Sequence, residues 1–450
     1  MQPLFNNWKK LKTGSPNRQI FRAAVTVGLM TALVKVAAAG KELVVAWRFG
    51  TGDALDAFLV AFLVPSFITS VVAGSFNAAF IPTYIRVREQ EGVEAAQKLF
   101  SGVTVWSFGL LLITTSLMVV TAPLYLQAIA AGFSPDKLEL TLRLLCAIAP
   151  IVLSEGMIAI WGALLNAGER FALAALSPAF TPVVTIIFLL IGKSFGIFAL
   201  AGGLVCGSLL ELLLLGVALK RQGIALRPRW YGFDAHLRQV ASQYAPMIAG
   251  SFLMSSTLIV DQSMAAMLSP GSLSALNYGT KVTALPMGLA TTALSTAVVP
   301  FFSKMVVHED WVGVRSTLKR YLFLVFLISV PLTAILCLFS EPLIQLFFQR
   351  GAFTVEDTQI VARIQTFYAL QIPFYIALVF LVRLVSAMQL NQILMWFAGI
   401  NLINNIVFNY LFLQILGIAG IALSTTFVII FSFLLMAVFI NIKLENYQEN

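Results

Sequence analysis

The chain has 450 residues, of which 59% are hydrophobic and only 11% are charged, and its mean hydropathy is +0.90. Soluble proteins carry about 25% charged residues, and a chain of this length needs a charged surface to remain in water. The composition therefore excludes a soluble globular protein and predicts a polytopic membrane protein. The net charge of +9 does not indicate nucleic-acid binding, because the basic residues flank apolar segments, where such residues set membrane orientation.

Twelve apolar stretches follow one another along the chain, and each is long enough to cross about 30 Å of hydrocarbon as a helix. We therefore predict an all-α polytopic membrane protein with about 12 transmembrane helices. The predicted spans are 23–49, 54–82, 100–123, 138–165, 171–191, 195–219, 240–267, 272–303, 321–338, 360–388, 392–412 and 415–440.

An even number of spans places both termini on one side of the membrane. The connections on that side carry nineteen Lys and Arg residues, whereas the opposite connections carry three: Lys137, Lys193 and Arg350. The positive-inside rule then predicts cytoplasmic termini in a multi-pass protein of the bacterial inner membrane.

Similar motifs recur about 220 residues apart, which suggests an internal duplication. Ala122-Pro123-Leu124 precedes a Gly-Phe turn in the first half, and Glu341-Pro342-Leu343 precedes a Gly-Ala-Phe turn in the second. An even number of helices per repeat predicts two pseudo-symmetric six-helix bundles. The predicted organisation is an N-terminal segment (1–22), a first bundle (23–219), a linker (220–239), a second bundle (240–440) and a tail (441–450).

Ionisable residues within the predicted spans are costly, because each such group at mid-bilayer costs at least about 2.5–3.5 kcal/mol. Lys35 and Lys41 lie in the first span, Asp56 lies one turn inside the second, and Lys281 lies in the eighth. We interpret the three lysines as cations of a water-filled, anion-binding cavity suited to a pyrophosphate group, with Asp56 pairing one of them. An ion-pair network that only joins helices remains the alternative interpretation.

Three more charged residues are candidates for the cavity lining: Glu42, Glu155 and Arg383. Each lies in or near a span, where an interfacial or pairing role is the alternative.

The second half carries a different set of polar residues, which offers only oxygen ligands. Asp261 is an isolated acid in the seventh span. Asn405 and Asn409 are four residues apart on the eleventh, as are Ile421 and Thr425 on the twelfth, so each pair shares a helix face. A carboxylate, two amides, a hydroxyl and a backbone carbonyl predict a site for Na⁺, although Asn and Thr also join helices structurally.

The segments 41–46, 49–50 and 53–62, followed by Pro65 and by 76–82, resemble the beginning of the MurJ/MviN family of lipid II flippases in the MOP exporter superfamily. A second match consists of 285–289, 293–296 and Pro300. The resemblance implies a MOP/MATE-like fold, a central cavity and outward movement of an undecaprenyl-pyrophosphate-linked precursor. It also implies that essential cavity residues fall on Lys35, Lys41, Asp56 and Lys281, and that a sodium site falls on Asp261, Asn405, Asn409, Ile421 and Thr425.

The sequence departs from the family pattern at several positions. Lysine replaces the usual arginine at 35, 41 and 281, which weakens bidentate recognition of pyrophosphate, and Asn409 replaces a carboxylate of the sodium site. Members usually have fourteen helices, the last two forming a groove for the lipid tail, and twelve are predicted here.

The sequence thus predicts a MurJ-like flippase for a polyprenyl-pyrophosphate-linked saccharide, either lipid II or a related glycan precursor. The expected partners are this substrate and membrane lipids, with no nucleic acid, and the chain is expected to act as a monomer. No cofactor is expected other than Na⁺. The alternatives are a Wzx-type polysaccharide repeat-unit flippase, a MATE-type antiporter, and a membrane glycosyltransferase or polymerase. The last is disfavoured because the longest connection, 220–239, has a single acid, Asp234.

Overall fold

The computed structural model describes residues 16–167 and 171–449, and these residues form helices and short connections without a β-strand. Residues 1–15 of the predicted N-terminal segment and Asn450 of the predicted tail lie outside the described residues. The sixteen α-helices, numbered in chain order, are α1 Pro16–Phe49, α2 Asp53–Gln90, α3 Val93–Ile129, α4 Pro135–Ile148, α5 Pro150–Ala167, α6 Phe171–Leu176, α7 Phe180–Ile191, α8 Phe198–Arg221, α9 Ala235–Ala266, α10 Ser272–Val307, α11 Trp311–Leu338, α12 Ser340–Phe348, α13 Val355–Ala369, α14 Ile372–Ala387, α15 Asn391–Leu416 and α16 Ile418–Glu449.

Each of the twelve predicted spans coincides with one long helix or with two consecutive shorter ones. Helices satisfy their own backbone hydrogen bonds, which is why apolar segments in lipid adopt them. Prolines mark the divisions: α5 begins at Pro150, and α13 and α14 are bent by 41° at a break just before Pro373.

Within the described residues, eight helical segments are long and apolar enough to cross a membrane, or nine if the bent pair α13–α14 is one span. The remaining predicted spans are α1, α9 and α10. These three helices carry most of the charged candidates, namely Lys35, Lys41, Glu42, Asp261 and Lys281. The three predicted spans outside this set are thus the ones in which polar chemistry is expected.

The helices form two compact units. The first contains the described residues of Met1–Val45 together with Ile68–Thr121 and Leu144–Ile248, and its apolar core includes Phe80, Val103 and Leu215. The prediction of bundles at 23–219 and 240–440 stays a prediction.

The second unit contains Ala46–Phe67, Ala122–Arg143 and the described residues of Ala249–Asn450. Its apolar core includes Phe302 and Phe380. The unit thus includes the α1–α2 junction and the α3–α4 connection, both of which come from the first half of the sequence.

Candidate functional site

A cavity of about 280 Å³ lies within the first unit and contains both acidic and basic side chains. Lys41 reaches it from α1 and forms an ion pair of 2.9 Å with Glu42, its neighbour in sequence. Both side chains are about four-fifths buried, with exposures of 22% and 21%. The cavity lining is Ala38, Lys41, Glu155, Ile158, Pro178, Thr181, Pro182, Leu204 and Glu211.

Two glutamates face this cavity from different helices. Glu211 on α8 is 2% exposed and accepts hydrogen bonds from the hydroxyls of Ser177 at 3.0 Å and Thr181 at 3.2 Å. Glu155 on α5 is partly buried and close enough to Glu211 for the two carboxylates to interact electrostatically. The sequence predicts Glu155 as a cavity residue but not Glu211. The signal for Glu211 is its position as a lone acid within an apolar helix.

The other predicted cavity residues are distributed over both units. Lys35 lies on the exposed surface of α1 in the first unit, whereas Lys281 on α10 is partly buried in the second. Arg383 on α14 also belongs to the second unit, and its Nε atom is buried without a hydrogen-bond partner among the described residues.

Asp56 lies in the first turn of α2 and is 2% exposed within the second unit. Its carboxylate accepts two backbone hydrogen bonds of 2.8 Å, from the N–H groups of Gly271 and Ser274. The Nζ atom of Lys137 lies 3.2 Å from the same carboxylate and 2.6 Å from Asp53. The sequence predicts one of the cavity lysines as the partner of Asp56; the structure corrects this, since the ion-pair partner is Lys137 of the α3–α4 connection.

The two amides that Asp56 binds are at the beginning of α10. Gly271 precedes the first helical residue with a left-handed φ of 85°, a conformation that glycine adopts without strain. Because glycine has no side chain to cap the helix, the carboxylate of another helix takes the place of an N-cap residue. The negative charge also lies at the positive end of the α10 dipole. Asp56 therefore caps α10 from another helix, and its predicted role in substrate binding stays a prediction.

Further contacts of the second unit surround this cap. The backbone N–H of Ala352 donates a 2.8 Å hydrogen bond to the carbonyl of Trp47, and the Thr51 hydroxyl donates to Asp357. Gly50, at a φ of 54°, permits this approach, because a Cβ there would lie 2.3 Å from the Ala352 carbonyl oxygen. The α1–α2 junction is therefore held against the loop before α13. We call the contact of Asp56 with Lys137, Gly271 and Ser274 the Asp56 lock.

The structure brings together all five predicted residues of the oxygen site in the second unit. Asp261 Oδ1 accepts hydrogen bonds from the amide groups of Asn405 at 2.9 Å and Asn409 at 2.6 Å. The Thr425 hydroxyl lies 3.5 Å from Asp261 Oδ2 and 3.0 Å from the Ile421 carbonyl oxygen. Asn405 and Asn409 are 2% and 0% exposed, and Asn409 Oδ1 is buried without a hydrogen-bond partner among the described residues.

Tyr368 on α13 is a further member of this cluster that the sequence does not predict. It is 5% exposed, and its phenol interacts with the Thr425 hydroxyl and the Asp261 carboxylate. No spacing rule links a tyrosine on α13 to an acid on α9, so only the tertiary structure shows this contact.

A family model described as lipid II flippase MurJ matches residues 45–450, which is nearly the whole chain. The chain belongs to the MurJ family. Membership confirms the resemblance seen in the two sequence motifs, although the side chains at 76–79, 293, 295–297, 299 and 300 lie outside the described part. It also confirms the prediction of a transporter and not an enzyme.

Curated relatives support this membership of the MurJ family. A probable lipid II flippase MurJ of Synechocystis is 27% identical over 442 residues, covering 95% of this chain and 82% of the relative. The lipid II flippase MurJ of Burkholderia cenocepacia is 27% identical over 418 residues, covering 90% of this chain and 80% of the relative.

Solved structures confirm the fold of this MurJ-family chain. Lipid II flippase MurJ in an inward closed conformation matches with a TM-score of 0.81 at 24% identity, covering 93% of this chain and 87% of that one. A multidrug resistance MATE family transporter of the MOP superfamily matches with a TM-score of 0.75 at 15% identity, covering 95% and 99%. The predicted all-α, MOP/MATE-like architecture is thus confirmed.

Proposed function

We propose that this chain moves a polyprenyl-pyrophosphate-linked saccharide, lipid II or a related glycan precursor, across the bacterial inner membrane. Membership of the MurJ family supports this function. The observation that carries it within the chain is Lys41, a cation held inside a cavity of about 280 Å³ on a helix of a membrane protein. Glu42 offsets part of the desolvation cost of this lysine, and an anionic ligand would add to that stabilisation.

In the proposed cycle, the saccharide-pyrophosphate group binds to the cavity lysines while its polyprenyl chain remains in lipid. Lys41 supplies a point charge for the pyrophosphate, and Lys35 and Lys281 are its proposed companions. Glu155 and Glu211 add hydrogen-bond acceptors for sugar hydroxyls and keep the cavity from being uniformly positive. Alternating access then releases the group on the other side.

We further propose that Na⁺ binds at Asp261, Asn405, Asn409, Ile421 and Thr425. The donor set fits a hard cation, because every group offers an oxygen and one is an anion. The unpartnered, fully buried Asn409 Oδ1 supports this proposal, since an orphaned buried acceptor is costly unless a ligand satisfies it. Bound Na⁺ would neutralise Asp261 in the low-dielectric interior and favour the packing of α9 against α15 and α16.

The remaining proposals concern orientation and partners. We place both termini in the cytoplasm, following the nineteen-to-three distribution of basic residues. The proposed partners are the lipid-linked saccharide and membrane lipids, with no nucleic acid, and the proposed functional form is a monomer.

Complementation tests the proposed function. Cells are depleted of their own lipid II flippase, and this chain is expressed from a plasmid. We expect wild type to restore peptidoglycan synthesis and growth, and Lys41→Gln to fail at equal membrane abundance. Lys319→Gln is the matched control, because Lys319 is exposed at the surface of α11 and should be dispensable.

The results distinguish the cargo. Rescue by wild type and by Lys319→Gln, but not by Lys41→Gln, supports a lipid II flippase. A wild type that restores surface polysaccharide but not peptidoglycan would favour the Wzx-type alternative. Full rescue by Lys41→Gln would contradict the role of the cavity lysine.

A further inference from the structure

The connection between α8 and α9 combines basic and aromatic residues at its surface. Residues 222–234 are not helical, and the segment Arg227-Pro228-Arg229-Trp230-Tyr231-Gly232-Phe233 lies within them. The three rings are about half exposed, Trp230 and Tyr231 at 51% and Phe233 at 46%, and the side chains of Arg227 and Arg229 are exposed as well. We call these five residues the linker patch.

Two pairs of reciprocal hydrogen bonds hold this connection against α3 within the first unit. The Gln97 side chain donates to the Ala225 carbonyl at 2.8 Å and accepts from the Ala225 N–H at 3.3 Å. One turn later, the Ser101 hydroxyl donates to the Arg229 carbonyl at 2.8 Å and accepts from the Arg229 N–H at 2.6 Å. These hydrogen bonds fix the position of the connection through its backbone, so the side chains of the linker patch are not needed to anchor it.

The anchoring point lies at the border between the polar end and the apolar part of α3. Lys98 is the last charged residue of this helix, and no charged residue follows it as far as Ile129. Ser101 is three residues beyond Lys98, or about 4.5 Å along the helix axis. A chain segment bound at Ser101 is therefore at the level of the lipid headgroups if α3 crosses the membrane.

We propose that the linker patch is a binding surface for anionic phospholipid headgroups. Tryptophan and tyrosine favour the membrane interface, because their rings contact acyl chains while their polar atoms remain near water. Arginines beside them attract negatively charged headgroups, and each basic residue near such a surface adds to the attraction. Trp230 and Phe233, with ring centroids 6.5 Å apart, supply the apolar contact, and Arg227 and Arg229 supply the charge complement.

This chemistry favours lipid over a soluble acidic protein. A protein partner would leave the exposed aromatic rings at the headgroup level without lipid contact, whereas a lipid surface contacts the rings and the guanidinium groups together. The proposal goes beyond flipping, because it does not depend on which cargo the cavity binds.

Quenching of Trp230 fluorescence tests the proposal. The full chain is placed in nanodiscs of phosphatidylcholine with a fixed minority fraction of lipid brominated near the headgroup, either phosphatidylglycerol or phosphatidylcholine. The signal of Trp230 is the difference between wild type and Trp230→Phe. We expect quenching of this signal to be at least about threefold stronger with brominated phosphatidylglycerol.

Two charge variants provide the matched comparison. Arg227→Gln/Arg229→Gln should abolish the preference for phosphatidylglycerol. Lys319→Gln/Arg320→Gln removes the same number of exposed charges from the beginning of α11 and should retain it.

Three outcomes would overturn the proposal. Equal quenching of wild type by both brominated lipids would show interfacial contact without headgroup selectivity. No quenching by either lipid would place the linker patch in water and favour a protein partner. Equal loss of selectivity in both charge variants would show an effect of net charge and not of this patch.

Discussion

Asp261 illustrates what a single carboxylate requires in order to remain inside a membrane protein. Two amide groups donate to one of its oxygens, and the Thr425 hydroxyl lies near the other, so its charge is distributed over several partners. Those partners leave one acceptor, Asn409 Oδ1, without a donor among the described residues. A cation would bind this oxygen and the carboxylate together. In a purely structural polar cluster, the buried oxygen would remain without a partner, which is costly.

Sodium should therefore stabilise the folded protein through Asp261. At a sodium concentration 100 times Kd, binding to the folded state adds about 2.7 kcal/mol to the free energy of unfolding. We expect NaCl, compared with an equal concentration of choline chloride, to raise the Tm of wild type but not of Asp261→Asn.

Glu211→Gln is the control for this measurement, because Glu211 is also a carboxylate inside the bundle but belongs to the first unit and is hydrogen-bonded by Ser177 and Thr181. Its response to sodium should equal that of wild type. An unchanged sodium response in Asp261→Asn would rule out the site.

At the scale of elements, the Asp56 lock joins the beginning of α2 to the beginning of α10. Its strength comes from the combination of a buried carboxylate, two backbone donors at a helix N-terminus and one lysine. The lock couples the stability of the two helices, because the N-terminus of α10 is capped by a carboxylate more than two hundred residues earlier in the chain.

Asp56→Asn should lower the free energy of unfolding by about 2 kcal/mol. Breaking a buried ion pair costs about 3–5 kcal/mol, but Lys137 retains Asp53 as a partner, which reduces the loss. Unfolding in mixed micelles of increasing SDS content measures the effect.

Asp53→Asn is the matched control for the lock. It removes the other carboxylate bound to Lys137, but the side chain of Asp53 is 60% exposed, so the expected loss is at most about 1 kcal/mol. Equal destabilisation by the two variants would show that Lys137 pairing, and not the cap on α10, provides the strength.

Sequence reasoning was most successful for the helices, because the length and hydropathy of each segment fix a helix in lipid regardless of its neighbours. The oxygen site could also be predicted from the sequence, since Asn405 and Asn409 share a helix face and Asp261 is costly in a membrane. The partner of Asp56 could not be predicted. Lys137 is 81 residues away, and only the path of the α3–α4 connection brings the two together. The contact of Tyr368 with Thr425 has the same origin.

At the scale of the whole molecule, the unequal distribution of basic residues between connections predicts the orientation of the chain in the membrane. The linker between α8 and α9 and the connection between α7 and α8 should lie on opposite sides of the membrane, because one apolar helix, α8, separates them. The first carries Arg227 and Arg229 and follows Lys220 and Arg221 at the end of α8, whereas the second carries Lys193 as its one basic residue. Basic residues retain loops in the cytoplasm, so the linker should be cytoplasmic and the α7–α8 connection periplasmic.

Cysteine accessibility in cells tests this orientation. Cys146, Cys206 and Cys337 are first replaced by alanine, and single cysteines are then introduced at the exposed positions Gln222 and Ser194. A maleimide that crosses the outer membrane but not the inner membrane should label Ser194→Cys in intact cells. It should label Gln222→Cys only after the inner membrane is permeabilised. The reverse pattern would contradict this orientation, because it would place the linker between α8 and α9 on the periplasmic side.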